Sequence, residues 1–265
     1  MNRLSRTICC VAAMLPMALL VPSTAQADGN STGGWTPGET LSQSSGEVSS
    51  RDELLATYDN ELVQWGCVGP EQNPCPSIPD SKAVDLTHVA QSTWYYCGPA
   101  AGTMILRSTN EGASAYNGES LTQDHVADDA HTKTASLQVT AWASGNFRRG
   151  LNRWRGDTAY SNLEEPTTKK FTSALHGNIK RNKPFGVSTI EFKNGLHYNG
   201  HPDMTLGHWI VAYGWADKLA TIRFADPAAG SDALPAYADA AKKFNAGLKW
   251  FNQNFFNQAG HGITF

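Results

Sequence analysis

The stretch Gln91-Ser-Thr-Trp-Tyr-Tyr-Cys97-Gly98-Pro99-Ala100-Ala101 decides the reading of this chain. Proline is favoured in the first turn of a helix, where its missing N–H costs nothing. Beyond it, Ala100, Ala101, Met104, Ile105 and Leu106 supply an apolar helical face. A helix therefore opens at Cys97, and the partial positive charge of its N-terminus favours a thiolate there. Gly98 lets a substrate backbone approach closely. The Cys97 N–H and the side-chain amide of Gln91 make two donors for an oxyanion.

Two later stretches complete a constellation. Gly207-His208-Trp209-Ile210-Val211 reads as a strand, and Phe224-Ala225-Asp226-Pro227 as the end of the next one. His208, Ile210, Ala212 and Gly214 share one strand face. With Asp217-Lys218-Leu219 as the turn, pairing Trp215 with Thr221 brings His208 and Asp226 to one face of adjacent strands. A slip of one residue parts them. Pro227 ends the ladder beside the site. Thiolate, base, orienting carboxylate and oxyanion donor are the parts of a cysteine hydrolase.

Residues 1–27 have the form of a secretory signal. Arg3 and Arg6 precede the apolar run Ile8–Val21, and Ala25-Gln26-Ala27 is a small-residue cleavage site. The expected mature chain starts after Ala27, is secreted, and has no membrane association. Cys9 and Cys10 leave with the signal, so Cys67, Cys75 and Cys97 remain. Exported thiols oxidise in pairs. Cys67 and Cys75 flank a Gly/Pro-rich loop and are the expected disulfide, which leaves Cys97 as the odd, reactive thiol. Without Arg3 and Arg6, 19 basic residues face 24 acidic ones, and the net charge moves from −3 to −5. That balance excludes a nucleic-acid partner.

Residues 28–50 are Gly/Ser/Thr-rich and read as a disordered linker or pro-segment. Ser50-Arg-Asp-Glu53 matches a capping box, and Leu54, Leu55, Tyr58, Leu62 and Trp65 follow at helical spacing. A helix over 51–65 thus opens a single domain running from 51 to 265, and it either packs on the domain or covers the cleft. Val84–Val89 reads as a short strand. Leu121–His131, Ser136–Arg149 and Phe171–Arg181 read as helices, and Phe185–Ile190, His208–Trp215 and Ala220–Asp226 as strands. Helices first and antiparallel strands later is the α+β pattern. The aromatic segment 239–265 either caps the sheet or extends the cleft.

The motifs Gln-x5-Cys-Gly-Pro-Ala, Gly-His-Trp and Ala-Asp-Pro, in that order over residues 84–230, resemble the bacteriocin-processing (double-glycine leader) peptidase-like family, a branch of the papain-like cysteine peptidases. The chain is similar to its free-standing secreted members rather than to those fused to exporters. The resemblance implies a papain-like α+β fold, the cysteine helix packed on an antiparallel sheet that carries the histidine and aspartate. It implies Cys97 as nucleophile, His208 as base, Asp226 as orienting acid and Gln91 as oxyanion donor, with peptide or protein substrates and no cofactor. Trp94, Tyr95, Gly98 and Trp209 are the candidate substrate contacts, and a monomer is the default.

Three other readings compete. The same thiol serves an acyltransferase of transglutaminase or transpeptidase type, if an amine rather than water reaches the acyl-enzyme. A non-catalytic secreted binding protein is a second reading, which the presence of all four catalytic positions disfavours. A zinc site in His197-x3-His201-x-Asp203-x4-His208 is the third, but Asn199-Gly200 and His201-Pro202 read as a polar rim loop without regular ligand geometry. The cluster Asp124–His131 reads as a solvated helix face, and Arg148, Arg149, Arg153 and Arg155 as a solvated basic helix end.

Overall fold

The computed structural model describes residues 43–66, 77–256 and 260–265. The signal segment and the Cys67–Cys75 pair lie outside the described residues. No described helix is long and apolar enough to cross a membrane.

Helix α1 (Ser45–Gln64) starts six residues before the expected 51, so residues 45–50 belong to it and not to a linker. The pattern Ser-x-x-Glu occurs twice, and the first copy forms the cap. Ser44 Oγ accepts from Glu47 N–H (3.3 Å) while Ser44 N–H donates to Glu47 Oε2 (2.9 Å). Leu55, Tyr58 and Leu62 form its buried stripe against α6 (Thr168–Lys180).

Seven antiparallel strands make one sheet: β1 (Lys82–Ala83), β2 (Asn162–Glu164), β3 (Phe185–Glu191), β4 (Leu206–Ala216), β5 (Thr221–Ala225), β6 (Lys243–Gly247) and β7 (Gly262–Thr264). The order is β2-β7-β3-β4-β5-β6, with β1 also on β4. Only residues 82–83 pair; the strand expected over 84–89 does not form, and beyond the pair Val84 N–H donates to Tyr213 O (2.8 Å). On one face Phe185, Val187, Ile210, Ala212 and Phe224 pack with α1, α6 and α7 (Leu248–Phe255). On the other, Trp209, Val211, Tyr213 and Ala225 pack with α2 (Cys97–Ser108) and α5 (Asn146–Arg155). The aromatic C-terminal segment thus builds the sheet and its cover: β6 edges it, β7 enters it, and Phe251 and Phe255 join the core.

Two expected helices are shorter or divided. Leu121–His131 keeps only α3 (Gln123–Ala127), and Ser136–Arg149 splits into α4 (Thr134–Leu137) and α5. Left-handed Gln138 (φ 54°) and Gly145 (φ 64°) bound the break. The loop between them carries Thr140 and Trp142 into the core, where Trp209 Nε1–H donates to Thr140 O (3.0 Å).

The β4–β5 register has a structure that alternation alone does not reveal. Near the turn Trp215 pairs with Ile222 and Ala216 with Thr221, one step from the expected Trp215–Thr221 pairing. A bulge at Tyr213 shifts the ladder back, so that Ala212 pairs with Phe224 and Val211 with Ala225. The register needed to set Asp226 beside the His208 face is restored at the far end.

Candidate active site

The turn before α2 is tied down by its own polar groups. Gln91 N–H donates to Pro227 O (2.8 Å), and Ser231 Oγ donates to Gln91 O (2.6 Å). Gln91 Nε2 donates to Thr93 O (2.8 Å) and Trp94 O (3.0 Å), so both amide hydrogens brace the turn that delivers Cys97. Its Oε1 is buried without a hydrogen-bond partner. Cys97 is fully buried, in no disulfide, within the cluster that joins α2 to Trp209 and Val211.

His208 Nε2 and Asp226 Oδ1 meet at 2.8 Å, both side chains fully buried. An ionised carboxylate only accepts, so Nε2 carries the proton. Nδ1 is buried without a partner and is the ring atom left to act as base. His208 shares its strand parity with Ile210 and Ala212, whereas α2 packs on the Trp209–Val211 side. The β5 ladder covers only Val211–Ala216, which leaves the His208 end of β4 beyond it.

Asp226 is saturated with donors. Besides His208 it accepts from Ala228 N–H (2.9 Å) at Oδ1, and from Asn199 Nδ2 (2.7 Å) and His201 Nε2 (2.6 Å) at Oδ2. Burial pushes its carboxyl up, but the charges and hydrogen bonds of His201 and His208 overcome this and hold it well below the usual carboxylate range. His88 Nε2–H also reaches Asp226 O (2.7 Å), and burial lowers that imidazole's affinity for a second proton.

His201 was expected on a rim loop and is instead buried inside the site. Its Nδ1 faces Glu191 Oε1 (2.6 Å), and Glu191 Oε2 accepts from Tyr198 N–H (3.1 Å) and faces His197 Nδ1 (3.0 Å). His197 Nε2 faces Asp203 Oδ1 (3.0 Å) near the surface. Burial opposes charge on His201, but Asp226 and Glu191 on either side raise its pKa to about 10. Glu191 escaped the sequence reading, and His201 and Asn199 were read only as a rim loop, because two loop residues and one strand residue come together at Asp226 only through the β3–β4 connection. The His-x3-His-x-Asp spacing was the available signal. It serves carboxylates here: His201 Nε2 and His208 Nε2 each lie at hydrogen-bond distance from Asp226, and the ligand atoms of the three groups lie within 4.8 Å of one another.

Of the candidate substrate contacts, two are core residues. The space beside Gly98 is filled by the Thr140 side chain, which an added Cβ would strike, so Gly98 admits Thr140 and not a substrate backbone. Trp209 is fully buried and stacks on Phe147 at 4.1 Å. Trp94 is half-buried against the Met204–Leu206–Leu234–Tyr237 cluster, with Tyr95 edge-on to it at 5.0 Å. These two remain at the surface beside the cysteine turn.

The other polar clusters have internal work. His131 is buried between Ser114 Oγ (2.8 Å) and Asp128 Oδ1 (2.8 Å), which corrects the solvated-face reading of 124–131. Arg148 pairs with Glu47, Arg155 with Glu111 and Asp157, and Arg153 lies over the Tyr116 ring at 4.7 Å.

The family model described as the Peptidase_C39 like family matches residues 84–255. Among solved structures, xylellain, a cysteine protease from Xylella fastidiosa, aligns at 9% identity with a TM-score of 0.38, covering 74% of this chain and 89% of that one. No curated protein matches the chain.

Proposed function

Since the chain belongs to the Peptidase_C39 like family and is a cysteine peptidase of papain-like α+β fold acting on peptide or protein substrates, we propose that Cys97, His208 and Asp226 are its catalytic triad and that it acts as a secreted, monomeric hydrolase. The observation that carries the assignment is the His208–Asp226 contact: it spends Nε2 and leaves a buried Nδ1 as the only ring atom able to take a thiol proton.

In this reading the Cys97 thiol passes its proton to His208 Nδ1 at the open end of β4. The thiolate attacks the amide carbonyl, and the imidazolium protonates the leaving amine. Water, activated by His208, then releases the acyl-enzyme. The helix N-terminus at Cys97 favours the thiolate and presents backbone N–H to the oxyanion. Gln91 is the second donor; Trp94 O holds the longer of its two hydrogen bonds and is the one it gives up when substrate arrives. Tyr95 and Trp94 flank the entering chain.

The experiment is a digest of casein by the secreted protein and its Cys97→Ala and Asp226→Asn variants. Loss of at least ~10³-fold in turnover for Cys97→Ala, with an unchanged far-UV spectrum, is expected. Undiminished turnover in that variant would remove the triad. Products bearing an added amine in place of new carboxyl ends would favour the acyltransferase reading.

A further inference from the structure

We infer that His201 is a positioning residue for this reaction: a doubly protonated imidazole wedged between Asp226 and Glu191 that balances their charge and so sets the pH range in which the Cys97–His208 pair is active. The inference rests on the triad proposed above.

With both carboxylates ionised, the hydrogen-bond geometry allows one protonation state. Both ring nitrogens of His201 lie 2.6 Å from a carboxylate oxygen, and both carboxylate side chains are fully buried. A neutral imidazole would turn one lone pair against a carboxylate lone pair at that distance, which buried groups do not tolerate. The cation in turn answers two buried anions that have no arginine or lysine side-chain partner among the described residues. The groups facing His201 are Glu191 from β3, His208 from β4 (ring centroids 5.5 Å apart), Asp226 after β5, and the Tyr198 and Tyr237 rings at 4.5 and 5.1 Å.

The consequence for catalysis follows from charge. With thiolate and imidazolium formed, signs alternate along Cys97, His208, Asp226, His201 and Glu191. Removing the His201 charge leaves the site one unit more negative, which disfavours the thiolate and moves its formation to higher pH. Removing the Glu191 charge does the opposite. At the 5.5 Å between the His201 and His208 rings and an effective dielectric constant of about 20, loss of the His201 charge moves the limb by about two pH units, and loss of the Glu191 charge moves it the opposite way.

The test uses iodoacetamide as probe on the full secreted protein, with Cys97 alkylation read by peptide mass spectrometry from pH 4 to 10 in wild type, His201→Gln and Glu191→Gln. The expected result is an activated wild-type profile, an upward shift for His201→Gln and a downward shift for Glu191→Gln. A merely structural role would slow both variants without moving their profiles in opposite directions. Two unshifted profiles, or two shifts of one sign, overturn the inference while leaving the triad standing. A wild-type Cys97 that reacts only as an ordinary thiol removes the triad and this role with it. Should His201→Gln fail to fold, the ¹⁵N histidine spectrum of the wild type decides: two ring N–H signals for His201 at pH 8 are expected, and a single one overturns the inference.

Discussion

His201 donates to Asp226 from Nε2 at 2.6 Å, and neither side chain has any access to water. The pair ties stability to pH. His201 binds its proton more tightly folded, with a pKa of about 10, than unfolded, near 6.5. Its contribution is therefore complete below about pH 6.5 and is lost as pH rises through 10. His176 and His261 run the other way: burial lowers them to about 4 and about 3, so they cost stability as pH falls below about 6.5. Thermal melting of the wild type should peak near pH 6.5. His201→Gln should melt lower throughout and lose most of the alkaline decline, while keeping the acid one.

Thr140 fills the space beside Gly98, and Thr140 Oγ1 is bonded to Thr134 Oγ1 (2.7 Å), itself bonded to Thr132 Oγ1 (2.8 Å). That hydroxyl chain cannot retreat without breaking buried hydrogen bonds. Gly98→Ala should destabilise by about 2 kcal/mol through overpacking at the start of α2, seen as a lower urea midpoint. Combining it with Thr140→Gly should recover most of the loss. If Gly98→Ala instead leaves stability intact and only raises KM, glycine is there for substrate after all.

Helix α1 is part of the domain. Tyr58 lies on Gly177 of α6, where an added Cβ would collide with the ring, and Leu55 and Leu62 share the core with Phe171 and Leu175. Truncation through residue 66 should unfold the protein, and Tyr58→Ala should cost about 3–5 kcal/mol. A truncated chain that stays folded and gains activity would make α1 an inhibitory segment instead.

Helix α2, α6 and the three long strands were legible because each is a run of apolar and small residues of the right length, bounded by turn residues. His208 and Asp226 were legible as a pair from the parity of two strands, although the turn pairs one step from the expected register and only the bulge at Tyr213 restores the alignment. The errors fall where the deciding contact is remote in sequence. Ser44 and Ser50 offer equal capping patterns, and only the packing of α1 on α6 selects between them. Trp209 and Gly98 carry the composition of a substrate cleft, yet both are claimed by Thr140, some 40 to 70 residues away. His201 and Glu191 are separated by ten residues, and nothing local marks their contact.

Tyr213 is the extra residue between Ala212–Phe224 and Gly214–Arg223, and it restores the register that sets Asp226 beside His208. Deleting Tyr213 removes the extra residue and leaves a regular ladder. The turn-side pairs Trp215–Ile222 and Ala216–Thr221 would hold, and so would Ala212–Phe224 and Val211–Ala225, because the partners on both sides of the bulge are consecutive without it. The deletion should therefore keep His208 beside Asp226 and lose only the Tyr213 ring and the local bend of β4, with a lower melting temperature and most of the turnover kept. Tyr213→Ala, which keeps the bulge and removes the ring, should retain its turnover as well. Comparing the two by casein digestion and thermal melting separates the inserted residue from its side chain. A loss of turnover of ~10²-fold or more in the deletion alone would mean that the bend of β4, and not the pairing, holds base and carboxylate together.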